Sequence, residues 1–541
     1  MEMNVIIAGE AGQGAFSVEV ELTETLSRLN YHFFATKNYM SRIRGGHNFH
    51  MIRIADHPVH ALSGGKWDMV VALDGETQRR HKPNLREGGI YISQEMAKEI
   101  ATVAKEAFGT VAASNSVLVG IVLAFIGVSP EKLEAAAEPG KEDYLRKGFE
   151  FAGKWNLTGT VPVTARAGKH RKFDGNQALA LGAVLGGCQF IAGYPMTPAT
   201  SILDYFATLA PELPIHFEQA EDEIAAINMV LGASYAGVRA MAATSGGGFA
   251  LMQEGVSLAG MTETPVVITV AQRPGPATGL PTRTEQGDLN FVLHAGHGEF
   301  PRIIFAPGSI GETIALARKS FALADRYQIP VFILTDQYFA DSVQIIEEEI
   351  SFDVGRREYP EFDAAYRRYR LTDEGISPLT FPGLTDALVK LDSDEHDEEG
   401  KITEDRQMRI RMVDKRLKKR ALFEKEAVLP TFTGDAGAGS VVLCWGSPRL
   451  VVQEAAERLA GEGIPVAVLH FGQVYPLTPA MIAPYRLEQK KRICVENNAG
   501  GQFARLLKSE LNLAVDHSVR KYDGDCFTVD ELYQTLKGLL A

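Results

Sequence analysis

Cysteine is scarce. The 541 residues hold four, Cys188, Cys444, Cys494 and Cys526, with no C-x-x-C among them. Zinc and iron–sulfur sites need several thiolates converging on one point. The chain is therefore read as holding no metal or cluster of its own, with reduced structural thiols. Long apolar runs are missing too: none reaches the roughly 20 residues of a membrane span. The N-terminus, MEMNVIIAGE, enters a strand-like run without a basic leader. These features point to a cytoplasmic protein with no membrane segment. Positive charge is in deficit. A formal net charge of −13 speaks against non-specific nucleic-acid binding but leaves room for a local anion pocket. Nucleotide fingerprints are also lacking. GEAGQGA at residues 9–15 is neither G-x-G-x-x-G nor a P-loop. TSGGGF at 244–249 lacks the glycine two before the serine that a nucleophile elbow requires.

What is present is a repeated alternation of short apolar strands and helical stretches, the pattern of α/β folds with open, mostly parallel sheets. One block covers residues 1–160 and ends in a polar Gly/Pro-broken linker at 152–171. A second covers 172–350, with strands at 188–192, 215–218, 240–243, 265–270, 302–305 and 330–334. Residues 351–435 break the pattern. They contain the acidic run LDSDEHDEEG and a charge-alternating stretch at 406–425 that reads as a solvated helix on a surface excursion. A third α/β block covers 436–541.

Several predicted strands end in turns suited to ligands. GYPMTPAT (193–200) places Pro195 and Pro198 around Thr197, stiffening a corner where open parallel sheets bind ligands. The plainer reading has Thr197 capping the next helix. EQAEDEI (218–224) packs four carboxylates into six residues, either as an acidic helix start or as a proton-sharing site for a cofactor ring. Gly246, Gly247 and Gly248 permit close backbone approach to a ligand. Residues 271–290 hold three prolines and three glycines and read as a long functional loop, with Arg273 and Arg283 suited to carboxylate binding. SRIRGGHNFH (41–50) offers Arg42 and Arg44 around a Gly-Gly turn; its histidines lack metal-site spacing.

Together these residues resemble the 2-oxoacid:ferredoxin oxidoreductases, in the form whose gamma and alpha parts are fused in one chain. YPMTP is similar to the family's Tyr-Pro-Ile-Thr-Pro signature. QAEDEIAA, ATSGGGFALM, RPGPATGLPTRTEQGDL, EHDEEGKITED–KRLKK and VENNAGGQ follow in order, and GEAGQG and RIRGG resemble the gamma part. The nearest likeness is to the 2-oxoglutarate-using branch. The resemblance implies a gamma domain (1–160), a pyrimidine-type thiamine diphosphate-binding domain (172–350), a charged helical insertion (351–435) and a transketolase C-terminal-like domain (436–541).

It also implies a reaction: oxidative decarboxylation of a 2-oxoacid with coenzyme A, giving acyl-CoA, carbon dioxide and reduced ferredoxin, or its reverse. By this likeness Glu221 would hydrogen-bond the aminopyrimidine. Thr197 and Tyr194 would meet the substrate, with Arg283 on its carboxylate and Arg273 as second choice. Pro195 and Gly246–Gly248 would line the cofactor. Gly12, Gln13, Gly14, Arg42 and Arg44 would serve coenzyme A. Family beta chains carry a Gly-Asp-Gly…Asn motif for Mg²⁺ and diphosphate, and cluster cysteines. Neither pattern is here, so a beta subunit holding Mg²⁺ and [4Fe-4S] is the implied partner, in an (alpha-beta)₂ assembly. Two alternatives stay open: pyruvate or a branched-chain 2-oxoacid as substrate, and a non-catalytic partner-binding subunit.

Overall fold

The computed structural model describes residues 1–41, 46–157, 171–347, 349–359, 362, 365–384 and 386–540. Among them run nineteen strands. The first five are β1 (Glu2–Glu10), β2 (His32–Asn38), β3 (His47–Ala55), β4 (Trp67–Ala72) and β5 (Leu85–Ile92). β6 (Arg171–Asp174), β7 (Phe190–Gly193), β8 (His216–Gln219), β9 (Ala240–Thr244) and β10 (Val266–Gln272) follow. Next come β11 (Ile303–Phe305), β12 (Pro330–Asp336), β13 (Val343–Ile346), β14 (Thr431–Gly434) and β15 (Ser440–Trp445). The last four are β16 (Ala467–Phe471), β17 (Gln473–Tyr475), β18 (Lys491–Glu496) and β19 (His517–Arg520).

They form three sheets, ordered β5-β4-β1-β3-β2-β13-β6, β17-β11-β12-β10-β9-β7-β8 and β14-β16-β15-β18-β19. The α/β class and the mostly parallel pairing hold overall. The second sheet is parallel from β11 to β8, and the third is parallel from β16 to β19. The first is mixed: β4 runs parallel to β1 and β5, but β1, β3, β2, β13 and β6 pair antiparallel.

The sheets also reach across the expected segment boundaries. β6 and β13 flank the second block in sequence yet extend the first sheet, and β17 adds an antiparallel edge to the second. The alternation along the chain marks strands but not which sheet each one joins.

The second sheet positions the site. β9, β10 and β12 are buried along their whole length, as strands covered on both faces must be. On one face the helix Gly175–Leu185 packs on the helix Ile310–Tyr327; a Cβ at Gly182 would sit 2.7 Å from the Ile314 carbonyl oxygen, so glycine sets that close approach. The helix at 175 starts from a capping box, Asp174 with Gln177. On the other face lies an apolar cluster shared with the third sheet, including Phe249, Phe332, Trp445 and Phe503.

The stretch read as a solvated helix is not solvated along its length. The helix Arg406–Lys418 turns Met412, Lys415 and Arg416 inward, and Lys415 and the following Lys419 lie buried on the Glu263 carboxylate, Lys415 at 2.5 Å. Glu263 stands at the turn before β10. Arg368 donates to the Thr262 and Glu263 carbonyls, and Arg416 binds Glu395 of the acidic run. The insertion is thus fastened to the second sheet by buried charge pairs.

Candidate active site

Because β7, β8, β9 and β10 are adjacent and parallel, their carboxyl ends share one edge. The GYPMTP corner, the Glu221–Glu223 turn, the glycine turn and the 273–288 loop all leave from that edge. A Cβ built on Gly247 would lie 4.0 Å from Met196 Sδ and from the Ala277 carbonyl oxygen, which brings the corner, the glycine turn and the loop together.

Thr197 does not cap the following helix. That helix begins at Thr200 with Ala199 as cap and no side-chain cap bond. The corner is braced from outside: Asn176 Nδ2 donates to the Pro198 carbonyl at 2.8 Å, and Arg273 Nη1 donates to the Thr197 carbonyl at 2.9 Å. The Thr197 hydroxyl is thereby freed from capping, and Tyr194 beside it is 41% exposed.

Glu221 is exposed. The buried carboxylate is Glu223, two residues on. Asp222 accepts from the Ala225 amide at 2.7 Å and so caps the helix Glu223–Tyr235. With the cap at 222, residue 223 falls inward beneath the glycine turn. A Cβ on Gly248 would meet Glu223 Oε1 at 2.2 Å and Thr244 Oγ1 at 2.3 Å, so only glycine fits. Glu223 Oε1 has no hydrogen-bond partner, and burial raises its carboxyl above the usual range.

Two more buried polar atoms on this edge are unsatisfied: Ser245 Oγ and Asp288 Oδ2. Asp288 lies against Gly246, where a Cβ would come within 2.5 Å of Oδ2. Burial pushes the Asp288 carboxyl up to about 6, with Glu285 adding to it and Arg273 opposing. Orphaned polar atoms are rare in a finished core, and several around a glycine cradle mark a binding site. The sequence offered no cue for Ser245 or Asp288 beyond their neighbourhood to glycines.

The two arginines part company. Arg273 is in the corner. Arg283 points elsewhere, into a cleft lined by Lys37, Asn38, Gln337, Tyr338, Asp525 and Cys526. The loop between them is pinned by the third sheet. Gln286 exchanges backbone and side-chain bonds with Asn497 and donates to the Trp445 carbonyl, while Gln502 accepts from the Asn290 amide and donates to Gly287. These pins explain VENNAGGQ, whose Glu496 is fully buried and accepts from the Phe503 and Ala504 amides.

GEAGQGA is the strand-to-helix turn it was read to be. Gly12 and Gly14 have φ near +90°, Gly14 caps the helix Ala15–Arg28, and Gln13 Oε1 accepts from the Glu10 amide at 2.8 Å. Arg42 and Arg44 lie outside the described residues.

Comparison with known proteins matches this arrangement to one family. Residues 181–415 fit the family described as pyruvate flavodoxin/ferredoxin oxidoreductase, thiamine diphosphate-binding, and residues 4–150 fit pyruvate ferredoxin/flavodoxin oxidoreductase. A 2-oxoacid:ferredoxin oxidoreductase subunit alpha from a Sulfolobus species is 32% identical over 616 residues, covering 99% of this chain and 96% of the relative. The chain belongs to the 2-oxoacid:ferredoxin oxidoreductase family. Within it, the 2-oxoglutarate synthase subunit KorA of Methanocaldococcus jannaschii is 32% identical over 372 residues, 68% of this chain and 98% of that one. A solved 2-oxoglutarate:ferredoxin oxidoreductase from Magnetococcus marinus, with 2-oxoglutarate, coenzyme A and succinyl-CoA bound, superposes with a TM-score of 0.89 at 29% identity over 100% of both chains. The family places a thiamine diphosphate-binding domain on the second sheet. Among the described residues no single helix is long and apolar enough to cross a membrane.

Proposed function

We propose that this chain forms one side of the active site of a thiamine diphosphate-dependent 2-oxoacid:ferredoxin oxidoreductase, and that its substrate is 2-oxoglutarate, converted with coenzyme A to succinyl-CoA, carbon dioxide and reduced ferredoxin, or formed in reverse. The observation that carries the reading is the buried, unpartnered Glu223 carboxyl under Gly248 at the edge where four parallel strands end. The orphaned atoms and the glycine cradle fit the aminopyrimidine end of thiamine diphosphate. When bound, the cofactor supplies the carbon nucleophile and the electron sink for decarboxylation.

This chain's residues supply placement and proton control. Glu223, raised by burial, would hold a proton against the ring nitrogen of the aminopyrimidine; the role first given to Glu221 passes to it. Gly246, Gly247 and Gly248 let backbone approach the ring, and Pro195 stiffens the opposite wall. The Thr197 hydroxyl, free of any cap, and Tyr194 would contact the 2-oxoacid. Arg273, already in the corner, is the better placed cation for its C1 carboxylate than Arg283. Burial lowers the Arg273 pKa and Asp288 opposes the shift; a guanidinium is a fork of donors that matches a carboxylate.

The Mg²⁺, diphosphate and iron–sulfur sites are assigned to a beta subunit. Tyr194, Ile224, Leu251 and Leu280, on the segments that follow these strand ends, are each exposed, and we take them as candidate contacts for that partner. Gly12, Gln13 and Gly14, with Arg42 and Arg44, remain the proposed coenzyme A contacts, and the assembly the proposed (alpha-beta)₂ in the cytoplasm.

The test is turnover by the purified complex. Ferredoxin reduction should require coenzyme A and thiamine diphosphate and should be fastest with 2-oxoglutarate. Higher kcat/KM with pyruvate or a branched-chain acid would reassign the substrate. No reduction with any 2-oxoacid would favour a subunit that only binds partners.

A further inference from the structure

Asp288 stands in a helix-capping position and caps nothing. It precedes the helix Leu289–Leu293 as the N-cap residue, yet its side chain accepts no cap bond, where an aspartate ordinarily takes a first-turn amide. Its Oδ2 is buried without a hydrogen-bond partner. The residue is nonetheless held in place. The Asp288 amide donates to Gln272 Oε1 at 2.9 Å, and Gln272 Nε2 donates to the Thr335 carbonyl at 3.1 Å. Gln272 ends β10, so the carboxyl takes its position from the sheet as well as from the loop.

The glycine turn thus lies between two unpartnered carboxyl oxygens: Glu223 Oε1 against Gly248 and Asp288 Oδ2 against Gly246. Their surroundings differ. Glu223 is 3% exposed, sealed beneath the turn with Asp222 as its charged neighbour. Asp288 is partly exposed, so a proton on it can pass to water. It faces Glu285 and Arg273. Burial and Glu285 favour its protonated form, Arg273 favours the ionised one, and the carboxyl is pushed up to about 6. That is close to neutrality, where a general base is most effective. Two carboxyls in different surroundings take different proton duties.

The reaction assigned above needs a second such group. The C1–C2 bond of the 2-oxoacid breaks and C1 leaves as carbon dioxide. The S–H bond of coenzyme A breaks and a C2–S bond forms. Two electrons go to ferredoxin, and one proton, from the thiol, is set free. Glu223 is committed to the aminopyrimidine. The four turns at 193–200, 218–224, 244–249 and 271–290 hold no histidine, cysteine or lysine. Of their other acids, Glu218 faces His216, Glu221 is exposed, Asp222 caps a helix and Glu285 lies against Gly287. Asp288 is left, with a free oxygen at the cradle.

We propose that Asp288 is the base that receives the coenzyme A thiol proton as the C2–S bond forms, and that passes it on to water. The proposal rests on the reaction assigned above and gives it a second acid–base residue, distinct from Glu223.

The experiment follows two steps on the purified complex: release of labelled carbon dioxide from 2-oxoglutarate in a single turnover without coenzyme A, and formation of succinyl-CoA with it. Asp288→Asn keeps the shape of the side chain and removes the base. Succinyl-CoA formation should fall at least about a hundredfold, the usual cost of a lost general base, and carbon dioxide release by less than about tenfold on the same scale. In the wild type, succinyl-CoA formation should decline as pH drops through about 6; Asp288→Asn should lose that limb and Asp288→Glu should restore it. Infrared difference spectra of the resting complex should show a carboxyl titrating in the same range that Asp288→Asn lacks. Near wild-type succinyl-CoA formation in Asp288→Asn, equal losses in both steps, or a pH limb that survives the substitution would overturn the assignment. A wild-type complex inert to every 2-oxoacid would instead overturn the assigned reaction, and the base with it.

Discussion

Asp288 holds a charge where burial least favours it. Its carboxyl, raised from 3.8 to about 6, binds a proton in the folded chain at a pH where the unfolded chain has lost it. Stability from this group is therefore greatest below about pH 4 and is lost as pH rises through 6. Replacing it with asparagine should raise the melting temperature of the chain at pH 7.5, and the gain should shrink to nothing near pH 4. Thermal scans at both values check this; an equal gain at the two would remove the linkage. EQAEDEI announces a carboxylate site, but which of its acids turns inward depends on where the helix starts. Asp222 took the cap, and Glu223 followed it inward.

The helix Arg406–Lys418 shows what charge patterning hides. Its alternating charges are those of a solvated surface, and nothing local distinguishes Lys415 from Lys418. The partner that buries Lys415 and Lys419 is Glu263, about 150 residues earlier. Burial alone would raise the Glu263 carboxyl, but the Lys419 and Lys415 ammonium groups outweigh it and hold it well below its ordinary 4.5. The unfolded chain takes up this proton near pH 4.5 and the folded chain does not. The stabilisation is full above that pH and drains away below it. Glu263→Ala should destabilise the protein by about 3–5 kcal/mol, because two ammonium groups are left buried without a counter-ion. Urea midpoints for the variant measure this. A loss below 1 kcal/mol would mean that the insertion is not held by these pairs. The turns at the strand ends, by contrast, were legible, since proline and glycine act through the local backbone.

At the scale of the whole molecule, the ordered motifs conveyed the family and the α/β class, but not how the sheets interlock. β13 pairs with β2 across some 300 residues, a relation no local pattern carries. Expressing residues 172–541 without the first block should leave β13 with an open edge and yield a protein that self-associates on gel filtration; a monodisperse product would contradict that dependence. The central claim is that this chain contributes one wall of a thiamine site, centred on Glu223, that a second chain completes. The most direct measurement is 2-oxoacid-dependent ferredoxin reduction by the assembled complex carrying Glu223→Gln, beside Glu221→Gln. Loss of a positioned proton-transfer group costs about 10²- to 10⁴-fold. The account predicts a fall of at least a hundredfold for Glu223→Gln and near wild-type turnover for Glu221→Gln, with both complexes co-eluting intact. Near wild-type activity in an intact Glu223→Gln complex would contradict it.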